Sequence, residues 1–235
     1  MKGEDDGFEQ IVESDTDGSR CVNTRHKTFA FTEHYCLYSP KGNLRLIAAG
    51  GSEACALYAT IIDYDSIGRV SNVRMTELLP DEDYRMLVSA ESGQNSVQIM
   101  KRWLSTAKSC AEYPIRRDSL DNIVSIGKVA VPGDYRAKYY IDEWGPFWTS
   151  DLHGGDIDFF IVLEKTKNID GSYVNYMYCG NDLIAELAYW KGVFIKARTY
   201  NNKGVMVKQY NDRNIDLNRT TYDDFWTEDP QWYVE

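Results

Sequence analysis

From residue 123 onward the chain alternates short apolar and aromatic segments with connections too short to hold a helix, and this constrains the fold most. Residues 159–164, 173–178, 183–188, 193–200 and 205–210 read as strands. Asn168-Ile-Asp-Gly-Ser, Gly180-Asn, Trp190-Lys-Gly and Asn201-Asn-Lys-Gly join them. A parallel neighbour requires a crossover of roughly a dozen residues or more, so these strands are expected to form an antiparallel meander. Upstream, 27–38, 44–49, 54–63 and 70–76 read as strands, with turns at Ser39-Pro-Lys-Gly-Asn and Asp65-Ser-Ile-Gly68.

The middle reads as helical. Pro80 precedes an acid-rich first turn, Asp81-Glu-Asp83. A second helix is expected over 95–112, where Val97, Met100, Leu104, Ala107 and Ala111 follow a 3,4,3,4 spacing and Tyr113-Pro114 follows. The fold class expected is therefore α+β: an antiparallel sheet with a β-meander in the C-terminal half, a central helical pair, and polar acidic arms at both ends. The domain reading is an N-terminal arm over 1–24, one α+β domain over 25–210 with 113–119 as the place for any subdivision, and a tail over 211–235. No internal repeat is found.

The arms come from charge. Residues 1–24 hold seven acids and two bases, residues 211–235 the same, and the body between is balanced at 22 of each. The C-terminal arm adds aromatic residues to its acids: Tyr222, Phe225, Trp226, Trp232 and Tyr233. A net charge of −10 argues against a protein that coats duplex DNA through bulk charge. No apolar run reaches membrane-spanning length, and the first residues lack the basic-then-apolar order of a secretory signal. Five cysteines without a Cys-x-x-Cys read as reduced thiols. The expected location is the cytoplasm or a virion, with no membrane partner.

Three constellations carry possible chemistry. Residues 187–211 contain no acid but hold Lys191, Lys196, Arg198, Lys203 and Lys208. Strand alternation groups Phe194, Lys196, Arg198 and Tyr200 on one face, with Lys208 and Tyr210 joining from the partner strand. Rings that stack on bases beside cations that meet phosphates suit single-stranded nucleic acid, and the same face suits a protein partner. Phe225, Trp226, Trp232 and Tyr233 are placed to dock there as the tail folds back. In composition, this acidic-aromatic ending resembles the tails of phage and bacterial single-strand-binding proteins. That resemblance implies a regulatory tail.

The second constellation is His153-Gly-Gly-Asp-Ile-Asp158 ahead of an apolar strand. Asp156 and Asp158 would project the same way and chelate a divalent cation. The pattern resembles the paired-aspartate strand of nucleotidyltransferases, which implies magnesium and nucleotidyl transfer. Gly145-Pro146 lacks the second small residue of that family's signature. The third is Cys21, His26, His34 and Cys36, residue types that ligate zinc at a spacing matching no common module.

The leading reading is a non-catalytic assembly or interaction protein, of the kind found as a phage structural or host-interaction component. It needs no cofactor and takes a protein partner or a second copy. The alternatives are a single-stranded nucleic acid binder with a regulatory tail, and a magnesium-dependent nucleotidyltransferase using Asp156 and Asp158.

Overall fold

One five-residue turn closes five of the hairpins. In the computed structural model, which describes residues 8–26, 32–51, 58–77, 79–88, 96–142, 158–201 and 203–211, the pairs Ser14↔Arg20, Tyr38↔Leu44, Tyr64↔Val70, Arg117↔Ile123 and Tyr200↔Met206 all close at i and i+6. Inside each loop the first residue (Asp15, Ser39, Asp65, Asp118 or Asn201) donates its N–H to the carbonyl of the fifth and accepts from the N–H of the fourth. In four of the loops the first side chain also caps the turn: Asn43 N–H donates to Ser39 Oγ at 3.1 Å, and Arg69, Asn122 and Val205 N–H donate to Asp65, Asp118 and Asn201 at 2.9, 2.9 and 3.0 Å. The fourth residue has φ between 70° and 86°, which glycine supplies at Gly18, Gly42, Gly68 and Gly204 and Asp121 supplies at a conformational cost. The same turn therefore recurs five times, although its first residue varies and one glycine is an aspartate.

Three of these turns join β1 (Phe8–Ser14) to β2 (Arg20–His26), β3 (Thr32–Tyr38) to β4 (Leu44–Gly51) and β5 (Tyr58–Tyr64) to β6 (Val70–Thr76), and α1 (Asp81–Val88) and α2 (Ser96–Thr106) follow. Then come β7 (Ser109–Arg117), β8 (Ile123–Ile126), β9 (Val129–Ala130), β10 (Tyr135–Asp142), β11 (Asp158–Lys165), β12 (Ser172–Cys179), β13 (Asp182–Trp190), β14 (Val193–Tyr200) and β15 (Met206–Asn211). The strands form a nine-stranded and a six-stranded antiparallel sheet, each in simple sequence order.

This overturns the α+β class with its central helical pair: the described residues are dominated by strands, with two helices of 8 and 11 residues. The second helix ends at Thr106, and residues 109–112 pair with β6 instead (Thr76↔Ser109, Met75↔Ala111, Arg74↔Glu112). The 3,4 spacing misled there because Ala107 and Ala111 are small, non-committal residues that extend a helical stripe on paper. Pro114 then lies inside a strand, where β7 stops pairing with β6 and starts pairing with β8. A residue without an N–H suits that change of partner.

The N-terminal acidic arm is corrected as well. Residues 8–24 are strands and turn, and Cys21 is buried. Three of their acids are used internally. Glu13 accepts the Ser96 N–H at 2.8 Å and the Ser96 hydroxyl at 3.2 Å, satisfying the first turn of α2 where the helix dipole favours negative charge. Lys101 reaches Asp15 at 2.6 Å and Asp17 at 2.7 Å.

The chain divides into two compact units, Met1–Pro114 and Ile115–Glu235. In the first, α1 and α2 lie on one face of the sheet. Cys21, Tyr35, Leu37, Leu46, Ala48, Ala59 and Ile61 meet Leu79, Leu87, Val97, Ile99, Met100 and Trp103 there. Tyr35 is fully buried, and its hydroxyl donates to the Leu87 carbonyl at 3.3 Å, one of the carbonyls that the end of α1 leaves unpaired. In the second unit β11 is buried on both faces from Phe159 to Leu163, which explains its unbroken apolar run. Around it, Phe160, Val162, Met177, Ile184 and Ala185 form one cluster, and Leu187, Tyr189, Phe194 and Ala197 another.

Candidate interaction surface on the C-terminal hairpin

The acid-free stretch is the outer edge of the six-stranded sheet. β13 turns into β14 through Lys191 and Gly192, both with positive φ, a two-residue connection whose twist suits a tight hairpin. β14 turns into β15 through the recurrent five-residue loop, and β15 is the last strand in the sheet order.

Two bulges reshape the face expected from simple alternation. The register of β14 against β13 jumps from Ala188↔Lys196 to Tyr189↔Phe194, so Ile195 is an extra residue. Phe194 thereby falls on the buried side with Ala197 and Thr199, packed edge-on to Tyr189 at 5.7 Å. Tyr189 in turn stacks on Tyr173 at 5.1 Å. Phe194 is thus a core residue and does not belong to the basic group. Lys196, Arg198 and Tyr200 do share the other face, half-exposed. The second bulge, at Val207, makes Lys208 pair with Thr199 and Tyr210 with Ala197, the buried register. The side chains of Lys208 and Tyr210 lie outside the described residues.

An acid sits within the basic face. Glu186 lies across from Arg198, with 3.7 Å between its carboxylate and the guanidinium, and it accepts the Tyr200 hydroxyl at 2.8 Å. Desolvation first, and then Glu186, push the Tyr200 phenol up. Arg198 also donates to Gln209 at 3.2 Å, tying β14 to β15. At this exposure the ion pair adds little stability, and its effect is to fix where the guanidinium points.

The feature that sequence reasoning missed is apolar. Trp190, Val193, Ile195, Val205, Met206 and Val207 are all substantially exposed on this hairpin, the last three at 56%, 50% and 53%. Scattered exposed apolar residues are ordinary, but Val205, Met206 and Val207 stand consecutively at the turn end of the edge hairpin, with Trp190, Val193 and Ile195 toward the other end of β14. The signal is in Val205-Met206-Val207, three consecutive apolar residues that strand alternation splits between the two faces.

The remaining candidates fare differently. By register Cys21 pairs with Leu37 whereas Cys36 pairs with Val22, so the two cysteines project to opposite faces of the sheet. His26 and His34 are strand residues whose side chains lie outside the described residues. Burial first, with Glu13 second, pushes the Cys21 thiol up to about 12, which disfavours the thiolate that zinc binds. Asp156 lies outside the described residues, and Asp158 opens β11 opposite Asp142. Phe225, Trp226, Trp232 and Tyr233 also lie outside them. Among the described residues no group of three or more His, Cys, Asp or Glu is placed to hold a metal ion. None of their helices is long and apolar enough to cross a membrane. The chain matches no protein-family model, and no curated protein resembles it in sequence.

Proposed function

We propose that this chain is a non-catalytic assembly or interaction protein that receives a protein partner along the β14–β15 hairpin. The observation that carries the reading is the exposed apolar row at an acid-free sheet edge. An edge strand presents unpaired backbone donors and acceptors, and natural edges are ordinarily blunted by charge, proline or cover. Here Val205, Met206 and Val207 are exposed, followed by Lys208. A partner strand added there gains backbone hydrogen bonds, while the apolar side chains bury area at roughly 25 cal/mol per Å². The Tyr- and Asn-rich composition with three histidines suits a structural or host-interaction component of a virion.

A photo-crosslinking residue in place of Val207, compared with one in place of Ile67, tests the proposal in extracts of the native host. Ile67 is exposed at 71% on a turn and serves as the control. A discrete adduct from position 207, and none from 67, is the expected result. No adduct, or equal labelling from both positions, contradicts it.

A second reading, single-stranded nucleic acid binding, is favoured by the grouping of Lys196, Arg198 and Tyr200 on one face. It predicts quenching of intrinsic fluorescence by oligo-dT at low salt, lost in Lys196→Ala/Arg198→Ala. No quenching removes it.

A further inference from the structure

We infer that the β15 edge is completed by β1 of a second copy, so that chains join head to tail into one continued antiparallel sheet. The inference rests on the interaction reading above and names its partner.

Geometry supplies the first argument. Neighbouring strands are antiparallel throughout both sheets, and the hairpins β1–β2 and β14–β15 close with the same i to i+6 pairing through the same loop. Setting β1 beside β15 therefore repeats a pairing that this chain already makes many times. The two are also comparable in length, seven residues against six. Both stand at the end of a sheet order: β1 opens the nine-stranded sheet and β15 ends the six-stranded one.

Charge and burial supply the second. β1 carries Glu9 and Glu13, the latter also capping α2, and no base, whereas β15 carries Lys208 and no acid. A β15–β15 contact between two copies would bring like charges together, and a β1–β1 contact would do the same with acids. Only the mixed pairing joins opposite signs. Each strand also offers an exposed valine for the new contact, Val12 at 57% and Val207 at 53%. The interface is heterologous, with different surfaces on the two sides, so each copy both offers β1 and receives at β15.

Complementary single-edge variants test this directly. Val12→Lys blocks β1 and leaves β15 intact; Val207→Glu does the reverse. Sedimentation velocity of the full chain should show species above the 27.0 kDa chain mass that grow with concentration and recede with salt. Each variant alone should lose every species above the single-chain mass, and an equimolar mixture of the two should regain a dimer and stop there. Far-ultraviolet circular dichroism checks folding, with Gln10→Lys as the replacement should Val12→Lys misfold. A wild-type chain that stays at its monomer mass at all concentrations overturns the inference, although an adduct from position 207 to a different protein would leave the interaction reading standing. Wild-type-like association by Val12→Lys alone also overturns it, because β15 would then be pairing with something other than β1.

Discussion

The hairpins at the two ends of the described chain share one turn and one closing register, yet they meet opposite fates. In β1–β2 the acids look like a solvated arm in the sequence, and the fold uses them. Glu13 caps α2, while Asp15 and Asp17 hold Lys101. In β14–β15 the residues look like a basic face, and the fold uses Glu186 to occupy part of it while Val205, Met206 and Val207 stay exposed. Charge counted along a sequence does not say which charges are already satisfied. What packs against a hairpin decides which of its groups are already engaged.

The largest expected effect comes from removing what packs on the N-terminal side. Trp103→Ala opens a cavity between α2 and the sheet and should cost about 3–5 kcal/mol, read as a fall in the denaturant midpoint. Amide exchange should accelerate across β1–β4. If β13–β15 accelerated equally, the two hairpins would not differ in what supports them.

The shared turn can be broken next. Gly68→Ala places a side chain at φ +86° with no atom within 4 Å of the new Cβ, so the cost is purely conformational, about 1–2 kcal/mol. Asp121→Gly relieves the same strain in the loop that lacks glycine, and should be neutral or stabilising by up to about 1 kcal/mol in thermal unfolding. Opposite signs at the two positions would show that one loop geometry governs both. Tyr35→Phe keeps the ring but drops the bond to Leu87, and should cost about 1 kcal/mol by denaturant titration.

The smallest effect is a pH dependence confined to the first hairpin. The hydrogen bond from Lys101 is the main cause holding the Asp17 carboxyl at about 2, below its ordinary 3.8, and it holds Asp15 down as well. A carboxyl with a depressed folded-state pKa stabilises the fold above its unfolded value and loses that contribution as pH falls. Protection of β1–β2 amides should therefore drop between about pH 4 and pH 2. Lys101→Met should remove that pH-dependent step while leaving β14–β15 exchange unaltered.

Much of the C-terminal sheet was legible because Gly180-Asn181 and Lys191-Gly192 mark tight turns that no helix can span. Strands β11 to β15 lie within two residues of where composition puts them. The α2–β7 junction was not legible, since Ala107 and Ala111 fit either period and only pairing with Met75 decides for Ala111. Phe194 was misassigned because a bulge shifts side-chain phase without leaving a mark in composition. The recurrent turn was hidden by uneven spacing from Asp15 to Ser39, Asp65, Asp118 and Asn201. At the proposed surface, Lys196, Arg198 and Tyr200 could be grouped in advance. The exposed valines could not, because exposure depends on what the fold leaves uncovered.

Hydrogen exchange followed across a concentration series tests the central claim most directly. The account predicts that amides of 206–211 and of 8–14 gain protection together as concentration rises, while interior strands such as β5 and β12 stay constant. Exchange at 206–211 that remains fast and unchanged throughout would contradict it.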